Sequence, residues 1–392
     1  MKRRKFLGLT ATTPLLLSPF ARAAWAAARW DRTLVLVELN GGNDGLNTVV
    51  PYTDPNYYDL RPNIAIPRDQ VLQLDEKRGL HPGFEPLMPL WKNREMAIIE
   101  GLGYPEPNLS HFRGIDIWNT ASDSKETLVD GWVSRLFKRY PPPSDFTADG
   151  IILGRNAMGP LQGSKGRTVS LLKNVEKTLK QSSRVRRGPV RDGDDALAHI
   201  LRKRAHLRDA TDDIISRHIG DIDLGASFST EVITPPGPSL GEQFEIAARL
   251  LASGVKTPLI KLFRIKFDTH ADPPELHAEL LSELAGAVST FAEVMKAKGL
   301  WDKVLVMTYS EFGRRPKENF SLGTDHGTAA PHFLFGGRVK GGLYGEQPPL
   351  DDLDNGNLKH RLHFRSLYSS VVEEWWNLAP SFFEEKPLGV VG

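Results

Sequence analysis

The segment Thr33-Leu-Val-Leu-Val-Glu-Leu39 is apolar at nearly every position rather than at every second one. It stops abruptly at Asn40-Gly41-Gly42-Asn43-Asp44-Gly45. A strand with that pattern buries both faces, so it belongs in a parallel sheet covered by helices on both sides. The same shape recurs along the chain. Met96–Leu102 ends in a Gly/Pro loop and then Asn108-Leu109-Ser110-His111-Phe112. Pro258–Phe267, Val304–Tyr309 and the shorter His332–Phe335 complete the set of strands. Helical spacing lies between them, over Phe112–Trp118 and Leu240–Leu251, and over His277–Lys298, where Leu280, Leu284, Val288, Phe291 and Met295 form one stripe. Gly299 stands just past that stripe as a helix stop, and Arg365–Leu378, with Trp375 and Trp376, closes the chain as a helix. Strand and helix in this rhythm predict an α/β fold, a mainly parallel sheet sandwiched between helices.

The first residues set the domain organisation. Arg3-Arg4 precedes a moderately apolar stretch, Phe6–Phe20, and then the small-residue sites Ala21-Arg22-Ala23 and Ala24-Trp25-Ala26. These are the three regions of a secretory signal, and the paired arginines select its twin-arginine form. Residues 1–28 are therefore expected to be removed, with the twin-arginine translocase as the export partner and the periplasm or the exterior as the destination. Thr10, Thr12, Thr13 and Pro14 make the stretch too polar for a spanning helix, and no later segment could span, so no stable membrane anchor is expected after cleavage. Residues 29–392 form one domain with an insertion or cap at about 163–238. There Lys173, Lys177, Lys180, Arg184, Arg186, Arg187 and Arg191 precede a helical segment over roughly Asp195–His218. That stretch is either a solvated face or a basic rim attracting anionic substrates. A net charge of +2 gives no reason to expect nucleic acid. The absence of cysteine excludes disulfides and thiolate metal sites, and it suits folding in a reducing cytoplasm before export. Any metal must be held by oxygen or imidazole, which leaves zinc, calcium, magnesium or manganese.

In open α/β sheets ligands gather at the carboxyl ends of the strands, and five polar clusters fall there. Asn40, Asn43, Asp44 and Asn47 follow the first strand, in residue types that also suit a plain turn. Ser110 and His111 follow the second. Ser110 stands at a helix N-cap, a structural position, yet also one where exposed amides favour an anion. Asp268 and His270 follow the third; two residues apart on an extended chain, they point the same way and can share one ion, or simply bond each other. Ser310 and Glu311 follow the fourth. Glu311 leaves an apolar strand, where an unpaired carboxylate is costly, so it requires a metal or a partner such as Arg314. Asp325 and His326 form a glycine-flanked pair before the last strand.

These motifs together resemble a known bacterial family. Leu-Asn-Gly-Gly-Asn-Asp-Gly-Leu-Asn-Thr (39–48), Ser-His-Phe (110–112), Gly-Trp-Val-Ser-Arg (131–135), Phe-Asp-Thr-His (267–270), Ser-Glu-Phe-Gly-Arg (310–314) and Gly-Thr-Asp-His-Gly (323–327) stand in the order of the twin-arginine-exported domain of unknown function 1501. That family is similar, more distantly, to the alkaline phosphatase and sulfatase superfamily. The resemblance implies an alkaline phosphatase-like fold, with Ser110 as nucleophile and Asp268, His270 and His326 around one metal. It implies a second metal near Asp44 or Asn40, Ser310 and Glu311. The chain departs from the superfamily in carrying Asn40 where an Asp is usual, and Ser310-Glu311 where an Asp-His pair is usual.

The expected activity is metal-dependent hydrolysis of a phosphate or sulfate ester in an anionic small molecule or polymer. Ser110 and His111 are the catalytic candidates, and Arg314, Arg315 or Lys317 would neutralise the anion. Asn40, Asp44, Asp268, His270, Ser310, Glu311, Asp325 and His326 are the ligand candidates. Two other readings stay open: an exported binding or assembly protein that keeps the fold without turnover, and a metal-free hydrolase using Ser110, His326 and Asp268.

Overall fold

The computed structural model describes residues 28–155, 157–164, 166–171, 209–214, 216–217, 219–229, 238–271, 274–378 and 381–392. The expected signal segment up to residue 27, the basic residues at 173–191 and positions 195–208 of the expected Asp195–His218 helix lie outside these residues.

One nine-stranded sheet organises the rest. Its strands are β1 (Thr33–Leu39), β2 (Met96–Gly103), β3 (Gly150–Leu153), β4 (Thr168–Leu171), β5 (Leu259–Arg264) and β6 (Val304–Tyr309). A separate two-stranded ribbon of β7 (Arg314–Glu318) and β8 (Thr324–His326) precedes β9 (Ala330–Phe335), β10 (Gly342–Tyr344) and β11 (Leu362–His363). The order is β10-β2-β9-β6-β1-β5-β3-β4, with β11 also pairing along β2. Every pairing is parallel except those of β9, which runs antiparallel between β2 and β6. The expected mainly parallel sheet is what forms. Because β9 is reversed, the residues entering it lie at the same edge as the residues leaving its neighbours.

Alternation along each strand splits the core into two layers. Val35, Val37, Ile98, Ile151, Ile260, Leu262 and Val306 face one side, against α3 (Leu240–Ala252) and α4 (Pro274–Ala297). Leu34, Leu36, Ile99, Ile152, Leu259, Leu305 and Met307 face the other. There α1 (His111–Thr120), α2 (Trp132–Arg139) and α5 (Arg365–Ser369) pack with Trp118, Trp132 and Trp376. Ser239 and Glu242 close a reciprocal capping box that fixes the start of α3. The last helix does not run evenly from Arg365 to Leu378: after Ser369 the backbone widens to a π-helix over Ser370–Trp375. No helix among the described residues is long and apolar enough to cross a membrane.

The second layer has one polar interruption. Glu38 shares a face with Leu34 and Leu36, yet it is 3% exposed and receives Lys261 Nζ at 2.6 Å and the Tyr309 hydroxyl at 2.8 Å. Tyr309 OH also reaches Asn119 Oδ1 at 3.0 Å, and Asn40 Nδ2 lies 3.3 Å from Glu38 Oε1. Burial beside the Glu38 carboxylate holds the Tyr309 phenol well above its usual range. Removing one partner of such a pair strands the other charge in the core. Lys261→Met alone should therefore cost about 3–5 kcal/mol in chemical denaturation, and the double variant Glu38→Gln/Lys261→Met much less. Equal losses in both would mean the pair is not coupled.

Candidate metal centre at the carboxyl edge of the sheet

The site is assembled around Arg314, at the start of β7. This side chain is fully buried. Its Nε donates to Gly42 O at 2.7 Å and its Nη1 to Thr324 O at 2.8 Å. Its Nη2 reaches Gly41 O, Phe267 O at 3.3 Å and Asp268 Oδ1 at 2.5 Å. One planar fork thus ties together the turn after β1, the segment after β5 and the ribbon β7–β8. Two glycines permit the close approach. Gly41 has φ +126°, and a Cβ there would fall 2.2 Å from Asp268 N; at Gly323 one would fall 2.3 Å from His270 O.

Held by this knot, three side chains converge. His111, Asp268 and His326 each offer one ligand atom, and these atoms lie within 4.8 Å of one another. His326 Nδ1 is 2.8 Å from the carbonyl of Leu109, which can only accept, so Nδ1 carries the proton and Nε2 presents a lone pair. That lone pair points toward Asp268 Oδ1 at 3.2 Å and His270 Nε2 at 2.8 Å. His111 Nδ1 is 2.8 Å from Glu311 Oε1, an acceptor that also takes the Gly41 N–H at 2.8 Å. His111 Nε2 is consequently turned inward, 3.2 Å from Asp268 Oδ2, buried and without a hydrogen-bond partner among the described residues. Phe312 floors the pair, its ring centroid 4.9 Å from His111 and 4.5 Å from His326.

Electrostatics follows the same geometry. The hydrogen bond to Glu311 raises the His111 pKa above the usual 6.5, against the opposing effect of burial. Burial lowers that of His326 and keeps it neutral. Asp268 is held below the usual carboxylate range: desolvation pushes it up, but the Arg314 hydrogen bond and charge win. A carboxylate and two imidazole nitrogens, each imidazole fixed from behind by an acceptor, are a donor set with outer support that could hold a divalent cation. The inward-facing His111 Nε2, which makes no hydrogen bond among the described residues, is what such an ion would satisfy.

Other expected residues stand differently. Ser110 adopts the extended backbone of an N-cap but its hydroxyl makes no capping bond; it is exposed at the head of α1, next to His111. His270 touches the cluster through Nε2 and faces Asp325 Oδ1 with Nδ1 at 3.4 Å, while Asn319 steadies Asp325 at 3.1 Å. Asp44 does not join a second cluster. Both its oxygens are taken by the buried Arg61, at 2.7 and 2.9 Å, which holds its pKa down although burial opposes this. Ser310 donates to Leu39 O at 2.7 Å and accepts from Asn43 N at 3.2 Å, Glu311 supports His111, and Asn40 turns to Glu38. Arg314 is corrected from an anion-neutralising catalyst to a buried positioning residue, because its donors are spent on the framework and none reaches solvent. Sequence reasoning missed Arg61, the Leu109 carbonyl and the ligand-like placement of His111. For His111 the signal was present: a histidine beside a strand-end serine, facing the edge where Asp268 and His326 also emerge.

Fold and site define a mixed α/β protein with a candidate single-ion His/Asp centre at the carboxyl edge of its sheet. The chain belongs to the family described as protein of unknown function DUF1501, whose sequence model matches residues 100–374. Among curated proteins no sequence match was found. Similar solved structures include the lipoteichoic acid synthase LtaP from Listeria monocytogenes, at 11% identity and TM-score 0.37 over 82% of this chain and 69% of that one. A protein in the alkaline phosphatase superfamily from Vibrio parahaemolyticus matches at 11% and 0.34, over 78% and 60%. The phosphonate monoester hydrolase of Agrobacterium radiobacter matches at 10% and 0.35, over 91% and 76%.

The His111–Glu311 pair carries a pH signature. A histidine whose folded-state pKa is raised stabilises the metal-free fold fully below its unfolded value, and the contribution fades as pH rises through the folded one. In Glu311→Gln the imidazole resonances of His111, followed by NMR in metal-free protein, should titrate at lower pH than in the wild type. An unmoved midpoint would show that Glu311 does not control His111.

Proposed function

We propose that this chain is an exported hydrolase of phosphate or sulfate esters that uses one divalent cation, held by His111, Asp268 and His326. The observation that carries the reading is the pair of inward-facing imidazole nitrogens around Asp268, each fixed by an acceptor on its far side. When bound, a divalent cation supplies Lewis-acid polarisation of the ester oxygen and lowers the pKa of a hydroxyl beside it. Zinc, calcium, magnesium and manganese all remain candidates, and of these the two imidazoles favour zinc.

The chain's own groups do the rest. Ser110 offers a hydroxyl free of capping duty, at the N-terminus of a ten-residue helix whose exposed amides favour an anion. We assign it as nucleophile. We assign His270, partly exposed and facing Asp325, as the group that passes a proton to the leaving oxygen. Arg315 and Lys317, on the same ribbon as Arg314, supply positive charge for the anionic ester. Export follows from Arg3-Arg4 and the signal-like stretch behind them.

A second reading, an exported binding module that holds the ion without turnover, draws support from Asp44, Ser310 and Glu311. All three are spent on internal bonds rather than on a second ion.

The double variant Asp268→Ala/His326→Ala should lose both the bound metal, read by elemental mass spectrometry, and ester hydrolysis. Unchanged turnover in that variant would sink the proposal. Ser110→Ala should keep the metal and lose at least about a hundredfold in turnover. Wild-type metal content without turnover on any phosphate or sulfate ester would favour the binding module. Because His111 must shed its proton to bind a cation, and its bond to Glu311 makes that proton harder to lose, metal loading should decline as pH falls.

A further inference from the structure

Four large apolar side chains stand conspicuously exposed among the described residues, and three of them lie on chain segments that carry the candidate ligands His111 and His326. Phe112 follows the ligand His111 and is 89% exposed. Phe320 and Leu322 are 109% and 49% exposed, in the turn that joins β7 to β8. Only Val129 lies elsewhere. That turn is fastened to the site, since Asn319 Nδ2 donates to His270 O at 2.9 Å and Gly323 packs against the same carbonyl. Leu322 holds a left-handed backbone, φ +59°, which a branched side chain adopts only when its surroundings impose it. A strained turn that lifts two apolar side chains into solvent, with a third exposed at the head of α1, marks an interaction surface.

Charge completes the pattern. The acidic groups described at the site are engaged: Asp268 with Arg314, Glu311 with His111, Asp325 with His270 and Asn319, and Glu318 with the Asn63 and Ile64 amides. Lys266 and Lys317 are exposed and have no ion-pair partner among the described residues. Free positive charge beside exposed aromatic and aliphatic groups is the composition of a protein face that settles on an anionic lipid layer.

We propose that the centre works at such a layer. Phe112, Phe320 and Leu322 enter its apolar zone, Lys266 and Lys317 meet its head groups, and the ester presented to the metal site belongs to an anionic amphiphile. The inference rests on the proposed ester chemistry for the bond that is cut, whereas its test reads binding alone.

The test is flotation of mature wild-type protein with vesicles of phosphatidylcholine containing phosphatidylglycerol, against vesicles of phosphatidylcholine alone. Wild type should float with the anionic vesicles, less so as salt is raised. Phe112→Ser/Phe320→Ser/Leu322→Ser should lose at least about tenfold in partitioning with its melting temperature and metal content kept. Lys266→Gln/Lys317→Gln should lose roughly fivefold per lysine at low salt. Wild type that stays unbound, or a triple serine variant that floats as well as wild type, would overturn the proposal. So would self-association of the wild type that the triple variant abolishes while neither protein floats, since that assigns the rim to a second copy of the chain.

Discussion

The buried guanidinium of Arg314 is the interaction on which the site depends. Three separate stretches of chain, at 41–42, 267–268 and 324, present carbonyl oxygens at one point, and Asp268 adds its carboxylate. Phe267 O also takes the Thr269 amide at 3.0 Å, and leaving buried carbonyls of this kind unpaired is costly. Arg314 resolves this with a single planar cation, and in doing so it fixes where Asp268 points. The protein therefore places its most strongly held charge behind the metal candidate rather than in front of it.

The same logic governs the histidines. Glu311 behind His111 and the Leu109 carbonyl behind His326 each take one ring proton and leave the other nitrogen facing Asp268. Two imidazole nitrogens and a carboxylate brought to one point, each ring held from behind, are the arrangement that a bound cation would complete. Asp44 illustrates the contrary choice: with Arg61 in a bidentate grip it braces the turn after β1. Buried His81 and His277, each held near pKa 4 by desolvation, lie beside that brace as neutral core groups.

Much of the fold was legible because burial on both faces leaves a direct mark on sequence. Thr33–Leu39 and Val304–Tyr309 read as interior strands and are interior strands, and the long amphipathic stripe from Leu280 to Met295 packs inward along α4. The edges were less legible. Pro258–Phe267 reads as one strand but pairs only over Leu259–Arg264, since Lys266 turns to a left-handed backbone and redirects Phe267 and Asp268. The π-helical turn near the C-terminus leaves no periodic signature either. Within the site, residue types at a strand end paired Asp268 with His270, and the family resemblance added His326. Which polar residue faces the cavity and which braces the frame depends on partners distant in sequence. Arg61 lies 17 residues from Asp44, and Glu311 lies 200 from His111, so no local pattern could separate ligand from support.

The central claim is that one cation sits among His111, Asp268 and His326. Its most direct test is an anomalous difference map from crystals grown or soaked with zinc, collected above and below the zinc absorption edge. The account predicts a single strong peak at about 2.0–2.2 Å from His111 Nε2, His326 Nε2 and an Asp268 oxygen. A peak beside Asp44 or at the surface, with His111 Nε2 and Asp268 left free of metal, would contradict it.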